Sequence, residues 1–231
     1  MNAFYPIFGK MIKELGFKQR TRSKFFLEKE DMIAYFSAEC PSSWIYVQFG
    51  IIPKYLPPGP GILYYTYGNR MGSMYPDLHN LKKEYSEEKM RLWCTNAKRY
   101  ILRDLMPLIE SISTVSSIRQ YILKLKDEKR MMRYRGTTDI YRIPIFCMDS
   151  HLQYLLIYSD LYLNHLTDAE KDASFYYFLL EITPTMPSLK EKLRKEIQQI
   201  LDTARNPEKL QTLFDSWCAE NRDYFIKQSK N

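Results

Sequence analysis

Phe4, Ile7, Phe8, Met11, Ile12 and Leu15 recur at three- and four-residue spacing and Gly16 follows them, so residues 3–15 read as an amphipathic helix with a glycine stop. The period then drops to two. Ser23–Glu28 and Met32–Glu39 are rich in aromatic and β-branched residues and flank the charged turn Glu28–Asp31, which predicts a hairpin. Trp44–Ile52 predicts a third strand with Ile45, Val47, Phe49 and Ile51 on one face and Trp44, Tyr46 and Gln48 on the other. Pro53–Ile62 holds four prolines and two glycines and predicts a loop. Ile62–Tyr67 supplies a fourth strand, and Gly68–Pro76 a second irregular segment.

From Ser86 the period becomes helical. Met90, Trp93, Cys94, Ala97, Ile101, Leu105 and Leu108 form one stripe, and Pro107 is expected to kink or end that helix. Ser117–Gln120 reads as a capping box for a helix with Ile118, Tyr121, Ile122, Leu125 and Met132 inward, ending at Gly136. Tyr141–Met148 predicts a short strand. Four more helices follow, with caps at Asp149, Thr167–Glu170, Ser188–Glu191 and Asn206-Pro207, and their short connections imply antiparallel neighbours. Trp93 and Trp217 complete apolar stripes and are expected in the core. The fold class is therefore α+β: an N-terminal helix packed on a four-stranded antiparallel meander, then a mostly α-helical part with two helical hairpins. The division expected is an α+β domain over residues 1–148 and a helical subdomain over 149–231 packed on it.

Charge is asymmetric. Residues 1–150 carry 24 Lys and Arg against 15 Asp and Glu, a net +9, whereas residues 151–231 carry 10 against 12, a net −2. Such an excess attracts acidic partners without fixing a fold. The opening residues have charges inside a helical pattern, unlike a signal peptide, and the most apolar stretch, Ser174–Ile182, is about half the length that crosses a bilayer. Cys40, Cys94, Cys147 and Cys218 lack metal or disulfide spacing, and Cys94 and Cys218 fall on or beside apolar stripes, so free thiols with a packing role in a cytoplasmic protein are expected.

No residue set announces catalysis. His151 and His165, fourteen residues apart, are too distant on one helix to share a metal, and His79 has no evident base or nucleophile beside it. Gly59-Pro-Gly61 lacks a strand-to-helix context and Gly68–Ser73 lacks the lysine of a P-loop. No catalytic residue, metal ligand or cofactor is expected. The binding candidates are Tyr55, Tyr65, Tyr67, Arg70 and Tyr75, because tyrosine and arginine carry interface energy and here lie in or beside long loops, though Tyr64, Tyr65 and Tyr67 also suit packing on the sheet. Lys126, Lys129, Arg130, Arg133 and Arg135 form a basic run near a helix end, the signature of a nucleic-acid contact and equally of a solvated C-terminal turn.

The order of a helix ending in Lys13-Glu-Leu-Gly-Phe-Lys18, a basic link to Phe25-Phe26, a second strand and Trp44-Ile-Tyr-Val-Gln-Phe-Gly-Ile51 resembles the uncharacterised bacterial family known as domain of unknown function 4304. The resemblance covers about the first seventy residues and carries structural motifs only. It implies a bacterial cytosolic origin and leaves function open. The expected function is a non-enzymatic binding protein, of the immunity type, that neutralises an acidic protein partner. The rival readings are a nucleic-acid-associated protein using the basic run and an enzyme whose site is assembled from distant residues.

Overall fold

The computed structural model describes residues 3–58, 67–79, 81–134, 149–182 and 187–227, with the backbone alone for 129–134. Helix α1 (Phe4–Glu14) turns its apolar stripe inward and ends at Gly16, whose φ of 89° is the left-handed conformation that side-chain-bearing residues resist. The chain then builds an antiparallel meander of β1 (Lys18–Thr21), β2 (Lys24–Glu28), β3 (Met32–Glu39) and β4 (Trp44–Pro53). Two short strands extend it on the far side of β4. β5 (Gly68–Arg70) pairs with its middle and β6 (Leu81–Lys82) with its start, separated by the single turn α2 (Met71–Met74). The short strand β1 departs from the expected pattern because Lys-Gln-Arg-Thr has no apolar alternation to announce it. Most of the expected strand Ile62–Tyr67, and all of Tyr141–Met148, lie outside the described residues.

Alternation along β4 divides the sheet into two faces as expected. Ile45, Val47, Phe49 and Ile51 join Phe25, Phe36 and the α1 residues Phe4, Phe8 and Ile12 in the main core. Phe26, Ile33, Tyr35 and Ile52 point the other way, where Phe225 and Ile226 of a terminal turn (Asp223–Lys227) cover them. Arg20 of β1 stacks over Tyr224 at 4.3 Å and closes that flank.

Helix α3 (Glu87–Tyr100) starts where Ser86 Oγ accepts from Lys89 N at 3.4 Å. Trp93 is buried in it and donates its indole N–H to the His79 carbonyl at 3.0 Å. A wide π-helical turn at Ile101–Leu105 leads without a break into α4 (Met106–Ser111), and Pro107 follows directly on that turn, where the irregular ladder tolerates a residue without an N–H. Helix α5 (Val115–Tyr134) begins two residues before the expected box. Thr114 and Ser117 cap each other, Ser117 N donating to Thr114 Oγ1 at 3.2 Å and Thr114 N to Ser117 Oγ at 3.1 Å.

The remaining helices are α6 (Asp149–Tyr162), α7 (Leu166–Ile182), α8 (Pro187–Ala204) and α9 (Pro207–Arg222), each packed on the next. The α7 start is at Leu166, where the His165 carbonyl accepts from Asp168 and Ala169, so Thr167–Glu170 lies within the first turn instead of capping it. Asn206 caps α9 as expected, accepting from Lys209 N at 3.1 Å. Trp217 is half-buried against Tyr158 and Phe214.

Two polar joints tie these helices to the sheet. Asp31, in the β2–β3 turn, accepts from Val115 N at 2.9 Å and so caps α5. Buried Asn221 of α9 donates to the carbonyls of Lys54 and Leu56, both at 2.8 Å, just beyond β4. One continuous set of buried side chains runs from Phe4 to Phe214 through residues on both sides of position 148.

Candidate functional site

The loop tyrosines are used by the core. Tyr55 is fully buried, its hydroxyl 2.9 Å from Ser159 Oγ and its ring against Tyr162, and burial raises its pKa. Tyr67 is buried and donates to the His151 carbonyl at 3.2 Å. Tyr75 stacks on Tyr100 with centroids 4.2 Å apart and is also buried. These three offer a partner almost no surface, which corrects the expectation that they line an exposed loop. Tyr65 lies outside the described residues. Of the described members of the set, Arg70 alone is exposed.

What surrounds Arg70 is the end of the outer sheet face that Phe225 and Ile226 do not cover. Its guanidinium lies over Tyr46 at 4.4 Å, and Lys82 lies over Trp44 at 5.0 Å. The register makes this an ordered patch: Gln48 is opposite Arg70, Tyr46 opposite Glu39, and Trp44 opposite Lys82. Gly50 marks its inner boundary, since the Tyr35 ring lies where a β-carbon would stand, 2.6 Å away, and the Tyr35 hydroxyl accepts from Gln48 Nε2 at 3.1 Å. Trp44 is 37% exposed, an unusual placement for tryptophan in a strand. Trp44, Tyr46 and Lys82 are the site residues that sequence reasoning missed. The signal was present, because the β4 alternation put Trp44 and Tyr46 on the face away from the core.

Elsewhere, the polar clusters are paired internally, although Asp160 Oδ2 is buried with no hydrogen-bond partner among the described residues. Asp160, 0% exposed, sits at the α6–α7 turn and accepts from Arg119 Nε, with His165 Nδ1 at 3.6 Å. Arg119 also reaches Asp168 at 3.5 Å. Burial pushes the Asp160 carboxyl up and Arg119 pulls it down, with the upward shift prevailing. Asp160, His165 and Asp168 are the one trio among the described residues whose donor atoms come within metal-binding reach of one another. Arg119 already supplies the positive charge there, so the trio fits an ion-pair lock between α5 and the α6–α7 turn better than a cation site.

Between α6, α7 and α8, Tyr154 and Tyr158 both donate to Glu196 Oε1, and burial raises the pKa of both tyrosines, with Glu196 adding to it. A groove of about 740 Å³ beside α9 carries Lys18, Lys29, Lys54 and Arg222, yet Glu28 accepts from Arg222 at 2.8 Å and Lys54 at 3.4 Å and neutralises its centre.

In the basic run, Lys126 donates to buried Gln153 at 2.7 Å and lies over Phe175. It is a structural cation as much as a surface one. The side chains of Lys129, Arg130 and Arg133, and all of Arg135, lie outside the described residues. Among the described residues Cys40, Cys94 and Cys218 are free thiols, and burial pushes Cys94 up to about 12 and Cys218 up to about 11. No described helix is long and apolar enough to cross a membrane.

Comparison with protein-family models, with curated proteins and with solved structures finds no match in any of the three.

Proposed function

We propose that this chain is a non-enzymatic binding protein whose open sheet face receives an acidic protein partner, and that it acts as an immunity-type protein by covering and neutralising that partner. The observation that carries the reading is the paired stacking of Arg70 over Tyr46 and Lys82 over Trp44 on the part of the sheet face beyond the Phe225 and Ile226 cover. Stacking holds each cation in place before a partner arrives, so less side-chain entropy is lost on binding. The net +9 of residues 1–150 steers an acidic surface toward it.

The test is a photo-reactive amino acid placed at Tyr46 in the full chain, with Lys209 on α9 as the control position. An acidic protein crosslinked from position 46 and not from 209, and lost in the Arg70→Glu, Lys82→Glu double variant, is the expected result. Crosslinking from position 209 alone would move the interface to the last helical hairpin. Binding of generic DNA or RNA that weakens steeply with salt would favour the nucleic-acid reading instead.

A further inference from the structure

Helix α7 is apolar on two sides. Ala169, Ala173, Tyr176 and Leu180 face the core, while Phe175, Phe178 and Ile182 lie on the opposite side and are 45%, 56% and 62% exposed. The two phenylalanine rings stack at 6.2 Å, which makes them one continuous ridge. A helix buried on one side has no folding reason to carry two aromatics and an isoleucine on the other.

The neighbours of this ridge are cationic. Arg119 of α5 meets Asp168 of α7, and seven residues further along both helices Lys126 lies over Phe175 at 5.6 Å. The same seven-residue step on both helices shows that α5 and α7 run in the same direction here. On the other flank, Lys190 donates to the Glu181 carbonyl at 3.1 Å and Arg194 pairs with the Glu181 carboxylate.

We infer that the α5–α7 surface docks an amphipathic helix of a partner protein, with its apolar side on Phe175, Phe178 and Ile182 and acidic residues along the edge that faces α5. Leu123 of α5, also exposed, extends the apolar strip toward that edge. The spacing of the ridge matches the i, i+3, i+7 anchors by which one helix reads another. Size argues against a second copy of the chain, because three half-exposed side chains present roughly 300 Å², well under the ~800 Å² per partner of a stable dimer. The surface is separate from the sheet face around Arg70, and the inference does not depend on that reading.

The experiment uses the full chain and fluorescently labelled synthetic helices. One probe has leucines at i, i+4 and i+7 with glutamates along one edge, a second has lysines in place of the glutamates, and a third is a scramble of the first. Anisotropy titrations should show saturable binding of the acidic helix, at least about tenfold weaker binding of the other two, and a roughly tenfold loss in Phe178→Asp and in Lys126→Glu. Phe175→Ser, at a second exposed position, should act in the same direction, and circular dichroism should report an unchanged fold for both phenylalanine variants. Equal binding of all three probes, absence of saturation, or indifference to the three substitutions would overturn the inference. So would sedimentation with phosphatidylserine vesicles that Phe178→Asp abolishes, or a self-associated form that the same variant dissolves.

Discussion

Replacing Asn221 by alanine should be among the most damaging single changes available in α9, although it removes only a small polar side chain. The Asn221 amide is buried and its nitrogen bridges two main-chain carbonyls, those of Lys54 and Leu56, each at 2.8 Å. Truncation leaves both acceptors buried without this donor, and each such group costs about 1–3 kcal/mol, so a loss of about 2–4 kcal/mol is expected after some water re-entry. For a chain of this size that is roughly 5–15 °C in Tm. Urea unfolding followed by circular dichroism should show a lower midpoint with an unchanged slope. Asn221→Asp separates hydrogen bonding from packing, since it keeps the volume but aims oxygen at oxygen, and it should be at least as destabilising as alanine. An aspartate variant as stable as wild type would refute the assignment, because no acceptor can replace a donor between two carbonyls.

Two further outcomes follow from the same geometry. Gly68→Ala puts a β-carbon 2.3 Å from the Phe49 carbonyl oxygen, a backbone clash that no rotamer relieves. The β4–β5 pairing should loosen, at about 1–3 kcal/mol, and hydrogen exchange at paired residues of β5 should accelerate; exchange at the wild-type rate would contradict it. Stability should also fall on the alkaline side. Burial holds Cys94 up to about 12, Cys218 up to about 11 and Tyr162 up to about 12, with Tyr55, Tyr154 and Tyr158 also raised. The unfolded chain releases these protons first, so their contribution is full below about pH 8.5 and is lost as pH rises through the folded values. A urea midpoint that stayed level between pH 8 and pH 11 would contradict it.

The meander and the helix order were legible because their signals are periodic and local. Ile45, Val47, Phe49 and Ile51 share a parity, and Asn206-Pro207 is a cap wherever it falls. Tyr55 shows where locality ends. A tyrosine two residues beyond a strand, among prolines, has the composition of an exposed loop, and only its distant partner Ser159 makes it core. Strand β1 was hidden for the converse reason: its pairing with β2 is dictated by the hairpin geometry, while its own residues are polar. Of the candidate site, Arg70 could be read from the sequence and its support could not, since the stacking on Tyr46 depends on β5 returning to β4 across a long connection. The α5–α7 ridge was equally concealed. Phe175, Phe178 and Ile182 belong to the most apolar stretch of the chain, which composition alone assigns to the interior.

The cover that Phe225 and Ile226 place on Phe26, Ile33, Tyr35 and Ile52 has a consequence for synthesis. A ribosome adding about 5–20 residues per second makes the β2–β3 hairpin roughly 10–40 s before it makes the residues that seal that side. During that interval the emerging sheet can complete one face against α1 but carries the other as bare apolar surface. The sheet is thus a half-finished object for most of its own translation, and folding closes by joining two segments roughly two hundred residues apart, a long-range contact of the kind that slows folding. Its most hazardous moment for aggregation comes before the chain is complete.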